Sequence, residues 1–279
     1  MKGKVFFVSS LASMLLFACG QSPEERVKAY EEAHDALMAE YNQMMDSLST
    51  DREKAQAFYD EFVERYVEFN LKAAKNNPDN DVAVQVLMNL RGLIDDEQAS
   101  QIIARMPAEM LEDKQVAALK EGLDARRETS EGKMFKDFTV NSVVGQSRSI
   151  PPQPVYAEVK LSDYVGKGKY ILLDFWSPWC GPCRREMPNI KAVYDKYHGD
   201  RFDVVSIAVW EREPVEVTIE TAAKLDMTWN QINNGQREPA SIYGVEGIPH
   251  LILFGPDGTI LKRGFHGAEI EEVVSSYLK

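Results

Sequence analysis

Apolar positions along this chain change period once, and the change divides it. From Val27 onward, Tyr30, His34, Leu37, Tyr41, Met44 and Leu48 recur at spacings of three and four, one face of a helix. Asp51 is placed to cap a second helix with Ala55, Phe58, Phe62, Tyr66, Phe69 and Ala73 on its stripe, and Asn76-Asn77-Pro78 ends it. Three shorter segments follow: Val82, Val86, Leu90 and Leu93; then Ala99, Ile102, Ile103 and Met106, stopped by Pro107; then Val116, Leu119 and Leu123. Residues 26–130 are therefore predicted to form an all-helical domain. Its aromatic and methionine faces read as core, with a protein-docking surface as the alternative. His34 has no companion ligands at metal-binding spacing and reads as a packed, hydrogen-bonded side chain. Asp95-Asp96-Glu97 suits a helix N-terminus, where the dipole favours negative charge.

Thr129-Ser130-Glu131-Gly132-Lys133 breaks the helical pattern, and strands and helices alternate after it. Phe138-Thr139-Val140 predicts a short strand, and 145–157, with Pro151, Pro152 and Pro154, an irregular surface loop. Tyr170 to Trp176 is an apolar strand. A helix is predicted over 181–197 with Ile190, Val193 and Tyr197 facing inward. Phe202 to Val209 is nearly continuously apolar, as expected of a strand covered on both faces. Pro214 to Leu225 reads as a helix. Pro249–Phe254 and Thr259–Arg263 read as strands joined by Gly255-Pro256-Asp257-Gly258, and Glu269 to Leu278 as a closing helix. Strand, crossover helix and strand, then a hairpin and a helix, imply an α/β sandwich over 131–279.

The N-terminus has a different pattern. Lys2 and Lys4 precede an apolar stretch from Val5 to Ala18, too short for a permanent span but suited to a signal segment. It ends in Leu16-Phe17-Ala18-Cys19-Gly20, which resembles a bacterial lipobox: a signal peptide over 1–18, lipidation at Cys19 and a tether over 19–25. The alternative is an ordinary signal peptide with a buried or stray Cys19. Either way the protein is expected in the cell envelope, in an oxidising compartment facing the periplasm; lipidation would add a bilayer anchor, in the inner or the outer membrane. A net charge of −12 over 279 residues argues against nucleic acid or an anionic membrane surface as a partner.

The chemistry concentrates in Trp179-Cys180-Gly181-Pro182-Cys183, at the start of the helix after the apolar strand. Unpaired N–H groups and the positive end of the dipole favour thiolate at Cys180, and thiolate is the attacking species. Cys183, nearly one turn on, is placed to resolve the mixed disulfide from within the same chain. Pro182 suits the first helical turn, and Gly181 leaves room for a substrate chain.

Asp174 to Cys183 resembles the thioredoxin active-site segment, and Arg184-Arg185-Glu186-Met187-Pro188 is similar to the membrane-anchored TlpA/ResA branch of that superfamily. Gly247-Ile248-Pro249 resembles the segment whose proline is cis and lies against the active-site pair. The resemblance implies a thioredoxin-like fold, a central mixed sheet flanked by helices, preceded here by the all-α domain. It implies that Trp179 is the exposed aromatic beside the nucleophile. Asp174 would be the buried carboxylate that takes the proton of Cys183, the alternative being a strand residue bonded to a neighbour. Glu186 would match the branch's acidic residue, or be a solvated helix glutamate. Ile248 and Pro249 would pair with an extended substrate. His250 stands where a hydroxyl-bearing residue is common, either tuning the thiolate or as a tolerated surface residue. The stretch 211–245 resembles the TlpA-type insertion.

The leading expectation is a lipid-anchored thiol:disulfide oxidoreductase running as a reductase on exported proteins, apocytochrome c among the candidates, and drawing electrons from a membrane thiol donor. Its redox group would be the Cys180–Cys183 pair itself, with no other cofactor. A disulfide isomerase or oxidase is the alternative within the class. A non-catalytic binding lipoprotein with a structural disulfide is the alternative outside it. A peroxidase lacks its Pro-x-x-x-Thr-x-x-Cys frame here. No metal is expected, because His34, His198, His250 and His266 offer no close ligand spacing.

Overall fold

The computed structural model describes residues 21–150 and 153–278. The signal segment 1–18, Cys19, Pro151 and Pro152 lie outside the described residues. The chain forms two compact units divided between Lys120 and Glu121.

The first unit is helical: α1 (Pro23–Ser47), α2 (Arg52–Asn76), α3 (Asp81–Asn89), α4 (Asp96–Ile103), the single turn α5 (Ala108–Leu111) and the start of α6 (Lys114–Glu128). The expected tether is shorter than 19–25, because helix begins at Pro23. Ser22 accepts from the Glu25 amide while the Glu25 carboxylate accepts from the Ser22 amide, a capping box with proline at the first position. Asp51 caps α2 by accepting from the Lys54 amide, and Asp95 forms a capping box with Gln98 at the start of α4. Within the helical stripes, the rings of Tyr41 and Phe62 meet tilted at 39°, with centroids 4.6 Å apart. The polar groups among them are satisfied: Tyr30 Oη donates to Asn70 Oδ1 at 2.8 Å and accepts from Asn89 Nδ2 at 3.1 Å. His34 Nε2 lies 3.2 Å from Tyr66 Oη, the packed role its spacing predicts. Among the described residues no helix is long and apolar enough to cross a membrane.

The second unit begins inside α6, at 120/121 rather than at the composition break near 130/131. Arg126 explains the difference: its guanidinium donates to the Gly244 carbonyl at 3.3 Å and pairs with Glu246 at 3.0 Å, so the last turns of α6 belong with the sheet. β1 (Thr139–Gln146) and β2 (Pro154–Lys160) form an antiparallel hairpin. The irregular loop predicted over 145–157 is therefore strand at both ends, at 145–146 and 154–157. Pro154 sits at the first position of β2, where a missing donor is tolerated.

The central sheet has five strands in the order β5-β4-β3-β6-β7: β3 (Tyr170–Trp176), β4 (Phe202–Ala208), β5 (Asn230–Ile232), β6 (His250–Phe254) and β7 (Ile260–Arg263). β3 pairs in parallel with β4 and antiparallel with β6, so the sheet is mixed. α7 (Gly181–Tyr197) is the crossover after β3, α8 (Val215–Lys224) and the short α9 (Glu238–Ile242) follow β4 and β5, and α10 (Glu269–Tyr277) closes the chain. One sheet face, with Leu172, Trp176 and Leu253, packs with Met187, Ile190 and Val193 of α7 and Ile270 and Val274 of α10. The other, with Ile171, Leu173 and Phe175, covers a second core with Tyr243 and Phe254. This is a thioredoxin-like fold.

Gly244 has φ +59, and a Cβ there would lie 2.6 Å from Arg126 Cγ and 2.7 Å from the Gly122 carbonyl. Gly244→Ala combines a left-handed backbone with overpacking. It should destabilise the sheet unit by about 1–3 kcal/mol in chemical denaturation.

Candidate active site

The site grows from the end of β3. After Trp176 the chain turns through Ser177-Pro178-Trp179, and Cys180 becomes the N-cap of α7. Its Sγ accepts from the Cys183 amide at 3.1 Å. Cys180 and Cys183 are disulfide-bonded with Cα atoms 5.3 Å apart. Cys180 keeps 3% of its surface and Cys183 none, so the first sulfur is the one a partner can reach. Cys180 Sγ also lies 3.6 Å from the Ile248 carbonyl oxygen. The Ile248–Pro249 peptide is cis. Pro249 joins Pro182, Arg185, Glu186 and His266 around an open cleft of about 360 Å³.

Asp174 is fully buried at the centre of the sheet. Alternation along β3 puts it on the face of Leu172 and Trp176, the face that packs against the cysteines and α7. Its Oδ2 accepts from Ser206 Oγ at 2.8 Å, and Ser206 Oγ accepts from Trp229 Nε1 at 2.8 Å. Oδ1 has no hydrogen-bond partner among the described residues. Burial pushes its carboxyl up to about 7, opposed by the Ser206 hydroxyl and assisted by the charge of Glu186. Ser206 and Trp229 were not among the expected site residues. The available signal was Ser206, a polar residue within the apolar run of β4, in direct register with Asp174.

Glu186 is half-buried rather than a solvated helix glutamate. Its Oε1 accepts from the Gly267 amide at 2.9 Å and from Asn189 Nδ2 at 2.7 Å, tying α7 to the loop before α10. His250 is not a surface residue. It is half-buried, its ring lies edge-on to Phe175 at 6.3 Å, and Nε2 lies 3.2 Å from Arg263 Nη2. Arg263 can only donate, so Nε2 accepts and the ring proton sits on Nδ1. Burial and the Arg263 charge hold His250 neutral, its pKa down at about 3. Arg263 is fixed in turn by the Thr129 and Tyr243 carbonyls at 2.9 and 2.8 Å.

Trp179 is half-buried beside Cys180. Its Nε1 donates to the Trp210 carbonyl at 2.9 Å, and the Arg212 guanidinium lies 3.9 Å over its ring. Trp210 is itself left-handed, with φ 53. Neither Trp210 nor Arg212 is marked by the sequence pattern, because both lie in the 211–245 region and its edge, where periodicity is weak. Among the described residues no group of three or more His, Cys, Asp or Glu is placed to hold a metal ion.

A mixed five-stranded sheet, with a Cys-x-x-Cys capping the helix after its central strand and a cis-proline beside it, defines a thioredoxin-fold redox protein. The AhpC/TSA family model matches residues 132–263. A ResA thiol-disulfide oxidoreductase of Geobacillus thermodenitrificans is 30% identical over 148 residues, which is 53% of this chain and 76% of that protein. One from Bacillus cereus is 26% identical over 163 residues, 58% of this chain and 84% of that protein. The solved thioredoxin domain of a Bacteroides vulgatus thiol-disulfide oxidoreductase aligns with a TM-score of 0.45 at 24% identity, covering 54% of this chain and 99% of that one. The chain belongs to the ResA family of thiol-disulfide oxidoreductases.

The buried carboxylate has a pH signature. A folded value of about 7 lies above the unfolded value near 3.9, so the folded state holds the extra proton between them. Stability attributable to Asp174 is complete below about pH 4 and falls by about 1.4 kcal/mol per pH unit up to about 7. Denaturant melts of Asp174→Asn against wild type should show the variant gaining relative stability over that window and no further gain above it.

Proposed function

We propose that the protein is a lipid-anchored reductase of disulfides in exported proteins, working in the cell envelope through Cys180 and Cys183. The observation that carries the chemistry is a cysteine pair capping α7 on the sheet face of a buried Asp174 whose carboxyl is pushed up to about 7. The anchor rests on the lipobox-like segment ending at Cys19, and the reducing direction on the Gly181-Pro182 dipeptide, since thioredoxin sits at about −270 mV and the oxidant DsbA at about −120 mV.

In the dithiol form, the Cys180 thiolate is stabilised by the α7 N-terminus and by the Cys183 amide, which already points at Sγ. It attacks one sulfur of the substrate disulfide. That S–S bond breaks as the Cys180–substrate bond forms, and the departing sulfur leaves as a thiolate that takes a proton from water. Cys183 then passes its proton to Asp174 and attacks Cys180 Sγ. The mixed disulfide breaks, the Cys180–Cys183 bond forms, and the second substrate sulfur leaves as thiolate. Two electrons have moved from enzyme to substrate. A membrane dithiol restores the pair and is itself oxidised to a disulfide, while Asp174 returns its proton to solvent. A carboxyl poised at about 7 is both protonated and ionised at appreciable levels near neutral pH, as a proton carrier requires. Ile248 and Pro249 supply the wall against which an extended substrate lies.

Cys183→Ala should leave a stable mixed disulfide on Cys180, isolable from cells on non-reducing gels. Recovery of no partner would sink the enzymatic reading on exported proteins, and the partner's identity decides whether apocytochromes are among the substrates. Equilibration of the wild-type pair with glutathione should give a potential below about −200 mV; a value well above it would make the protein an oxidase or isomerase. Asp174→Asn should slow resolution by about 100-fold at neutral pH in single-turnover reduction, with the first attack much less affected.

A further inference from the structure

Two guanidinium groups lie against the residues on either side of Cys180 in the chain, Trp179 and Gly181. On one side, a Cβ built at Gly181 would lie 3.6 Å from Arg185 Nη1, so the Arg185 side chain folds back over the glycine that follows Cys180. On the other, Arg212 stacks 3.9 Å over Trp179, the residue that precedes it. Some arginines of this acidic chain are held by carboxylates, Arg26 by Asp79, Arg65 by Glu40 and Arg126 by Glu246. Arg185 and Arg212 are exposed and make no ion pair with a described residue.

The Arg212 side is built rather than incidental. Trp210, Asn234 and Gln236 all hold left-handed backbones, at φ 53, 65 and 55. Trp210 N–H donates to the Gln236 carbonyl at 2.8 Å, and the Glu211 carboxylate accepts from the Gln236 amide at 3.0 Å. Gly235 between them has no room for a side chain, since a Cβ would lie 2.4 Å from the Ala208 carbonyl. Three strained residues and one half-buried carboxylate thus fix the arch that lays Arg212 on Trp179. Strain of this kind is concentrated where geometry serves function. Of the carboxylates next in sequence or in the cleft, Glu211 accepts from the Gln236 amide within that arch and Glu186 accepts from the Gly267 and Asn189 N–H groups.

We propose that the site selects disulfides flanked by acidic residues, with Arg185 and Arg212 receiving carboxylates on either side of the attacked sulfur. The proposal rests on the reading above that Cys180 attacks the disulfides of other proteins. The two cations steer an acidic segment to a site whose surroundings, at a net charge of −12, would otherwise repel it. Trp179 supplies the apolar platform between them.

The test uses the pre-reduced full chain in single turnover with three short peptides. Each carries one internal disulfide, flanked by aspartate and glutamate, by serine, or by lysine. Each rate is divided by that peptide's rate with dithiothreitol, which removes the effect of the flanks on the peptide's own thiols. The acid-flanked peptide should react about 10-fold faster than the lysine-flanked one at low ionic strength, and the ratio should fall below about 2 at 1 M salt, where screening acts within about 3 Å. The double variant Arg185→Gln, Arg212→Gln should lose the preference, and Arg185→Lys, Arg212→Lys should retain most of it. Equal normalised rates in wild type, a preference for lysine, or a preference that survives in the glutamine variant would overturn the inference while leaving the oxidoreductase reading intact. Failure to reduce any of the three peptides would overturn both.

Discussion

The sheet unit is organised around a carboxylate placed where water cannot reach it. Asp174 occupies the central strand, flanked by β4 and β6, and only one of its oxygens is hydrogen-bonded among the described residues. An ionised carboxylate in such a place is expensive, and the group responds by holding its proton up to about neutral pH. Much of the neighbouring architecture keeps it there. β4 supplies Ser206 in register, Trp229 fixes the Ser206 hydroxyl from the segment before β5, and α7 covers the same face with the cysteines at its head. A fully solvated aspartate would be an ordinary acid; one fully paired with a cation would never accept a proton. The single neutral donor leaves it between those limits.

How far this was legible depends on the length of the signal. α7 was placed over 181–197 because Cys180 caps it, Pro182 sits in its first turn and Ile190 and Val193 repeat at helical spacing, and the structure gives Gly181–Tyr197. β3, β4 and α10 carry signals as strong. β5 and α9 span three and five residues, too short for any period to accumulate, and both were missed. The β1–β2 hairpin was hidden by a proline-rich run, although Pro154 at the start of β2 leaves the pairing of the rest untouched. The boundary moved into α6 because Arg126 and Gly122 answer to Gly244, a contact 118 residues away that no local pattern records.

The site shows the same division. Residues that belong to one contiguous segment, Asp174 through Glu186, could be read together, and their relation to Ile248-Pro249 came from a second motif. Residues recruited by the fold could not. His250 looked peripheral because sequence says nothing of Arg263, which the β6–β7 pairing brings to its ring and which Thr129 and Tyr243 hold in place. Glu186 stayed divided between the branch's acidic residue and a solvated glutamate, because its partner is a backbone amide, that of Gly267, on another element.

These recruited contacts also separate two kinds of charge around the disulfide. Arg263 is locked into backbone carbonyls and sets the state of His250, keeping the strand beside the cis-proline neutral over the working pH range. Asp174 holds its proton up to about neutral pH, while the imidazole one residue from Pro249 stays uncharged there. A charged His250, two residues from the Ile248 carbonyl that lies 3.6 Å from Cys180 Sγ, would add positive charge on the cis-proline side and favour the thiolate, lowering its basicity and with it its nucleophilicity. Holding that ring neutral leaves the stabilisation of Cys180 to the α7 N-terminus and the Cys183 amide, a fixed field that does not vary with pH. The cost of that arrangement is a half-buried arginine, which the Thr129 and Tyr243 carbonyls offset with charge-assisted hydrogen bonds.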